Sequence, residues 1–453
     1  MARIAVVGAG YVGLASAAGL TRLGHEVTVL EVDAARVATF NAGRPLVHDE
    51  ALSAALVEDV RAGRLMATTD PQAAIAGREV LFLCVGTPAD PDGRTSLAGL
   101  ERVCQEVAPI TMPGALVVVK STVPVGALEW LEEEFGAGKL PKPALVHNPE
   151  FLREGSALED FLDPDRIVVG ARTAGDAERL LALYRGIEAP TLTTDLRSAQ
   201  LIKYGANCML SVRISFMNMM AQLCEAAGAD VRDVGVGVGL DRGVGPHYLS
   251  AGIGYGGPCL PKDLQALIWT GAEHGVNMGL LAECARINSE MVPRAVERLR
   301  TTLGTLEGKR IGLWGLTFKP GTSDMRDSPA VTMALALAEA GAAVTAFDPS
   351  GGEEGGTLPI RAAHDMWEAV DGQAALVVAT DWPQFEPADL REVARRLATP
   401  VLLDGRRIYS PGAAAAAGLT YLGVGAGVAK AERELEPPRT GRGRLDWSGR
   451  RAR

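Results

Sequence analysis

The sequence predicts an α/β chain: two Rossmann-like doubly wound domains joined by a long central helix. Three observations predict it. Arg3–Gly8 is a β-branched run that ends at a glycine cluster, leads into a helical pattern and returns as a strand closed by Glu31. Arg310–Gly315 repeats that order, and its second strand is closed by Asp348. Between them an apolar helical pattern covers about Asp195–Gly228, longer than an ordinary globular helix. The 453 residues, at roughly 150 per domain, divide into an N-terminal dinucleotide domain over 1–194, a central helical and dimerisation region over 195–305, and a second doubly wound domain over 306–430. The tail over 431–453, rich in arginine and poor in apolar residues, is expected to be disordered.

Apolar residues make up 47% and charged residues 22% of the chain, which suits a soluble globular protein with ample core. The net charge of −10 disfavours nucleic acid as a partner. Cations that bind an anionic substrate must therefore be local. The cysteines at 84, 104, 208, 224, 259 and 284 have no paired spacing, which argues against zinc and disulfides and for a reducing, cytoplasmic setting. Strand-like sequence from Arg3 leaves no room for a signal peptide. No apolar run is long enough for a membrane span, so no membrane partner is expected.

In chain order, Gly8, Gly10 and Gly13 follow the first strand, with Tyr11 and Val12 among them, and a helical pattern runs on to about Leu23. Val27–Leu30 and Glu31 complete a dinucleotide fingerprint. Its glycines bring backbone N–H groups against a pyrophosphate, and the acid accepts from the ribose 2′-OH, favouring NAD over NADP. Arg36 is either a cofactor-phosphate contact or part of a solvated helix face.

Val80–Val85, Ala115–Val119 and Ala144–Val146 read as further strands, ending near Thr87, Thr122 and Glu150. Ligands of open α/β sheets bind beyond the carboxyl ends of the strands. Each of these residues alone also reads as a turn or cap residue, and the recurrence carries the weight. Glu150–Glu154 is expected to open a helix, with both carboxylates on one face. His147 reads as structural.

In the central helix, Lys203 and Asn207 share a face. A lysine amid Leu201, Ile202 and Tyr204 either loses hydration and becomes a usable base or reaches water along its stem. Met217, Met219, Met220, Leu223 and Cys224 read as core or subunit interface. Then comes Gly254–Asp263. Gly256 and Gly257 allow close approach to the backbone, and Pro258 and Pro261 stiffen the turn on both sides of Cys259. If Pro261 opens a helix, Cys259 sits at its electropositive end, where thiols ionise and attack. A second helical pattern spans about Leu264–Leu303, with Pro293 as its kink or break.

The second doubly wound half starts at Arg310. A helix over about Pro329–Glu339 and strands Ala343–Phe347, Leu376–Ala379 and Val401–Leu403 follow. It lacks the glycine fingerprint, and Lys319, Arg326 and Asp404–Arg407 supply cations at its strand ends.

Jointly these stretches resemble the UDP-glucose/GDP-mannose dehydrogenase family from residue 1 to about 425. The resemblance rests on Gly8–Gly13, Lys120–Gly126, Asn148–Gly155, Pro164–Gly170, the Lys203/Asn207 pair, Gly254–Asp263, Gly315–Pro329 and Asp404–Arg407. It implies four-electron oxidation of a sugar-nucleotide primary alcohol to a carboxylate, with two NAD⁺ and no metal. Cys259 is implied as the nucleophile, the Lys203/Asp263 region with water as the base, Asn207 as oxyanion donor, Glu150 as activator of the hydrolytic water and Thr122 as its holder. The implied NAD contacts are Val12, Glu31, Arg36, Thr87, Thr122, Glu154, Lys262 and Arg326. The implied substrate contacts are Glu150, Phe151, Leu152, Arg153, Glu154, Lys203, Asn207, Tyr248, Leu249, Ser250, Ala251, Gly252, Gly256, Lys319 and Arg406. A homodimer or higher homo-oligomer through the central helix is expected.

Two departures stand out. Glu31 occupies the position where the family usually has Asp. Gly243 falls where the family has an Arg that reaches the sugar across a dimer interface; either Arg242 substitutes from a shifted loop or sugar specificity differs. The motifs lean toward UDP-glucose, with GDP-mannose and UDP-acetamido sugars as alternatives. A two-electron β-hydroxyacid dehydrogenase would not need Cys259, and a non-catalytic NAD-binding protein would not need the set Cys259, Lys203, Asn207 and Asp263.

Overall fold

The structure, a computed structural model, describes residues 1–139, 141–351 and 358–426. The tail expected to be disordered, 431–453, lies outside the described residues. The chain forms two compact units. One is Met1–Ala206 with Gln265–Asn277; the other is Asn207–Leu264 with the chain from Met278 onward.

The first unit is built on strands β1 (Arg3–Val7), β2 (Glu26–Leu30), β3 (Leu65–Thr68), β4 (Val80–Leu83), β5 (Leu116–Val119), β6 (Ala144–His147), β7 (Ile167–Gly170) and β8 (Thr191–Thr194). Their order in the sheet is β3-β2-β1-β4-β5-β6-β7-β8. Neighbours run parallel except β6 and β7, which meet antiparallel at His147 and Gly170. Strands β4, β5 and β7 are buried throughout, as Val/Leu/Ile runs covered on both faces must be.

The second unit carries β9 (Arg310–Trp314), β10 (Ala343–Phe347), β11 (Arg361–Ala362), β12 (Ala375–Val378), β13 (Val401–Asp404) and β14 (Thr420–Gly423), all parallel, in the order β11-β10-β9-β12-β13-β14. That is the order of β1–β6 again, so the doubly wound reading holds for both halves. A 32-residue helix, Leu196–Ala227, joins them in sequence.

Two local expectations fail. Glu150–Glu154 does not open a helix; the helix there begins at Ala157, after a turn at Glu154–Gly155 where Gly155 has φ 85°. The carboxylates of Glu150 and Glu154 therefore do not line one helix face. The second helical pattern breaks not at Pro293 but between two helices, Leu260–Glu273 and Gly279–Leu303. The break follows from Gly275 in the left-handed region (φ 68°), with Val276 N–H closing onto the Gly271 carbonyl at 2.8 Å. Pro293 lies inside the second helix.

Candidate active site

The candidate residues fall into two groups, one in each unit. In the first unit, Gly8 turns the chain out of β1 at φ 100°, and its N–H bonds the Leu30 carbonyl at 2.8 Å. Gly13 opens the first helix so close beneath that a Cβ would lie 1.9 Å from the Gly8 carbonyl oxygen. Around Gly10 no atom stands within 4 Å of a Cβ position, and as N-cap of the Tyr11–Arg22 helix it leaves the first-turn N–H groups without a side-chain partner. This is an anion cradle with room for a pyrophosphate, so the residues present fit NAD.

Glu31 accepts from Ala9 N at 3.0 Å and Asp33 N at 3.1 Å, and stays partly exposed. Arg36 is not merely a solvated face: its Nη2 donates to the Ala9 carbonyl at 2.7 Å, and its Nε lies 3.9 Å from Glu31. It braces the glycine loop against the acid. Tyr11 donates to Asp49 at 2.5 Å and accepts from Gly155 N–H, so it ties the glycine loop to the segment after Glu150.

At the strand ends, Thr87 Oγ1 donates to the Thr122 carbonyl at 2.7 Å. Lys203, only 3% exposed, places Nζ 2.8 Å from Glu150 Oε1 and 2.8 Å from the Glu150 carbonyl. Lys203 thus forms an ion pair with Glu150 that the sequence did not suggest. The second Glu150 oxygen accepts from Leu152 N at 2.7 Å. Burial opposes ionisation of Glu150, but the Lys203 ammonium and these hydrogen bonds outweigh it and hold the carboxyl below the usual range. Phe151 lies between two cations, Arg166 at 3.7 Å and Lys203 at 5.4 Å from its ring centre. Arg153 pairs with Asp160 at 2.6 Å.

In the second unit, Cys259 immediately precedes the Leu260–Glu273 helix and is exposed, whereas the other five cysteines are buried. Burial pushes the thiols of Cys84, Cys104 and Cys208 up to about 12, which makes them inert. Asp263, 1% exposed, accepts from Asn207 Nδ2 at 2.6 Å and from Lys262 Nζ at 2.5 Å. The loop before Cys259 is clamped. Asn288 takes the Tyr255 N–H at 2.8 Å and returns a bond to its carbonyl at 3.0 Å. A Cβ on Gly256 would stand 1.9 Å from the Asp327 carbonyl, and Gly257 (φ 83°) faces the Phe318 ring.

Of the substrate-loop residues, Leu249 and Ala251 face the core, Gly252 N–H is held by Asn218 at 2.9 Å, and Tyr248 and Ser250 are exposed, with Tyr248 at φ 60°. Arg406 donates to the Ala379 and Gly254 carbonyls at 2.8 and 2.9 Å, while its buried Nη2 has no protein partner. That is the condition of a guanidinium awaiting an anionic or carbonyl oxygen. Lys319 Nζ lies 5.8 Å from the Phe318 ring, and Arg326 pairs with Asp324 at 2.9 Å. At Gly243 the backbone N–H bonds Asp241 at 2.7 Å, and Arg213 fixes the loop through the Val244 and Gly245 carbonyls.

Residues 2–188, 197–290 and 312–411 match, in turn, the NAD binding, central and UDP binding domains of the UDP-glucose/GDP-mannose dehydrogenase family. The UDP-glucose 6-dehydrogenase of Pseudomonas aeruginosa is 38% identical over 444 residues, 93% of this chain and 97% of the relative. The chain belongs to the UDP-glucose/GDP-mannose dehydrogenase family. The UDP-glucose 6-dehydrogenase of Rhizobium meliloti is also 38% identical, over 93% of this chain and 99% of its own. Among solved structures, a UDP-glucose dehydrogenase from Pyrobaculum islandicum superposes with a TM-score of 0.87 at 38% identity, covering 94% of this chain and 98% of that one. Membership brings a nucleotide-sugar substrate and NAD as cofactor.

Sequence reasoning passed over three polar residues that shape these groups: Lys120, Asn148 and Asn288. Each stands inside or against a quoted motif. The signal for Lys120 is a lysine directly after four buried strand residues, Leu116–Val119, where its stem has no ready path to water.

Proposed function

We propose that the chain oxidises UDP-glucose to UDP-glucuronate with two NAD⁺, through a covalent intermediate on Cys259. The observation that carries this reading is the lone exposed cysteine at a helix start, beside a buried Asn207–Asp263 pair that the partly exposed Lys262 joins. The Gly8–Gly13 cradle and Glu31 would hold NAD⁺, which would supply the hydride acceptor for each of two oxidations. In the first step Lys203, with Asp263 and water, takes the hydroxyl proton, and Asn207 donates to the developing oxyanion. The Cys259 thiolate then adds to the aldehyde carbon, and the thiohemiacetal loses its hydroxyl proton as it is oxidised to a thioester. Glu150 takes a proton from water as the water attacks the thioester carbon; the thiolate leaves and the acid is released. Thr122 holds that water, and the Tyr248–Gly252 loop, Lys319 and Arg406 bind the substrate.

The exposed stripe Met209, Phe216, Met219 and Leu223 on the long helix supports a homodimer through that face. Six free thiols support a reducing, cytoplasmic setting. Counting NADH per UDP-glucose consumed, with product mass, tests the reaction. The reading requires two NADH and the uronate; a ratio of one contradicts it. Gly243 favours a second reading, the same chemistry on a UDP-acetamido sugar or GDP-mannose. A panel of nucleotide sugars separates the two by kcat/KM.

A further inference from the structure

Lys120 is a buried cation for which the proposed reaction has no role. It follows β5 directly and is 5% exposed. Its Nζ lies 2.9 Å from Asn148 Oδ1, 3.4 Å from the Asn148 carbonyl and 3.5 Å from the Tyr184 hydroxyl. These are all neutral acceptors. An ammonium taken out of water onto neutral partners is costly, and chains seldom keep one without use. Asn148 is itself fixed: its N–H bonds Val119, its Nδ2 bonds Val168, and Tyr184 donates to its Oδ1 at 2.6 Å. Asn148 is separated from Glu150 only by Pro149, so Lys120 holds the strand end that carries the carboxylate.

Lys203 touches Glu150, and Lys120 acts on it through its charge. His147, three residues before it, is neutral, because burial pushes its imidazole down to about 3. Cys84 and Tyr184 are neutral, their ionisation suppressed by burial. Lys203 is the group that must pass protons during alcohol oxidation. Whenever it is neutral, Glu150 loses its contact cation, and a carboxylate so buried would take up a proton.

We propose that Lys120 is a positioning residue for Glu150: a second, fixed ammonium that keeps the carboxylate ionised, and its segment in place, while Lys203 changes protonation state. The inference rests on Glu150 acting as the hydrolytic base. Burial lowers the lysine's own proton affinity to about 8, so it remains charged at neutral pH.

The test is an infrared titration of the full chain without substrate. The carboxyl band lost in Glu150→Gln assigns Glu150. In Lys120→Met that band is expected to titrate at least one pH unit higher than in the parent, and Lys120→Arg is expected to restore it. Lys120→Gln keeps a hydrogen-bond donor without the charge and is expected to shift the band like Met, which supplies the reading if the Met variant does not fold. The acid limb of kcat should move with the band. An unshifted Glu150 band in a folded Met or Gln variant overturns the inference. Undiminished acid release in Glu150→Gln would instead overturn the role given to Glu150, so the two failures are distinguishable.

Discussion

The two doubly wound halves have the same strand order and the same first turn, yet they treat the acid after the second strand in opposite ways. Gly8 N–H bonds Leu30 and Gly315 N–H bonds Phe347, both at 2.8 Å; both glycines are left-handed, at φ 100° and 93°. Past this point they diverge. The first half enters its helix at Tyr11, at once, and leaves Glu31 partly exposed at the mouth of the cradle. The second half delays its helix to Pro329 and turns the loop back over the acid. Asp348 Oδ2 accepts from Leu316 N at 2.7 Å, Thr317 N at 3.1 Å, Thr317 Oγ1 at 3.2 Å and Trp382 Nε1 at 3.2 Å. One carboxylate stays partly exposed beside the glycine loop; the other is spent inside the fold. The same topology can therefore leave that position open beside a glycine loop or seal it from within.

Four measurements break or sharpen that contrast. Gly13→Ala should act most strongly, because its Cβ meets a backbone oxygen that cannot step aside. NAD binding by calorimetry should fall at least 100-fold, with a lower Tm. Gly10→Ala, which meets nothing in the protein, should lose NAD affinity with Tm unchanged. Next, Asp348→Asn turns an amide N–H₂ toward donors and should cost about 2–3 kcal/mol of stability by denaturant unfolding, while NAD affinity stays as it was.

His147 comes third. Its folded imidazole sits near 3 against about 6.5 unfolded, so below pH 6.5 the unfolded chain binds the extra proton. Stability from this group is complete above pH 6.5 and is lost as pH falls toward 3, by about 2 kcal/mol between pH 6.5 and 5. His147→Gln should flatten the Tm profile over that window; an unchanged slope would remove His147 from the account. The smallest effect is Glu31→Gln, about 1 kcal/mol or roughly fivefold in NAD Kd, with Tm unchanged. Equal stability losses at Glu31 and Asp348 would erase the contrast.

Much of this was legible in the sequence. Strand β10 and the Pro329–Glu339 helix fall where the apolar patterns put them, because buried parallel strands are short unbroken runs. Strands β3, β8 and β11 gave no such run: they are edge or near-edge strands of two to four residues with exposed positions, set by their neighbours. In the candidate site, spacing nominated Cys259, Lys203 and Glu150 as candidates, but not the ion pair between Lys203 and Glu150. The fixed partners Asn148 and Asn288 are ordinary polar residues in sequence and acquire meaning only through contacts with distant segments, Lys120 and Tyr184 for the one and the Tyr255 backbone for the other.

The central claim, an acyl group carried on one sulfur, is tested most directly by acid-quenching the chain in the presence of UDP-glucose and NAD⁺ and weighing its peptides. The account predicts a glucuronyl adduct on the peptide containing Cys259, enriched in Glu150→Gln. An unmodified Cys259 peptide in both proteins, with a Cys259→Ser variant still yielding the uronate at the parent rate, would contradict it.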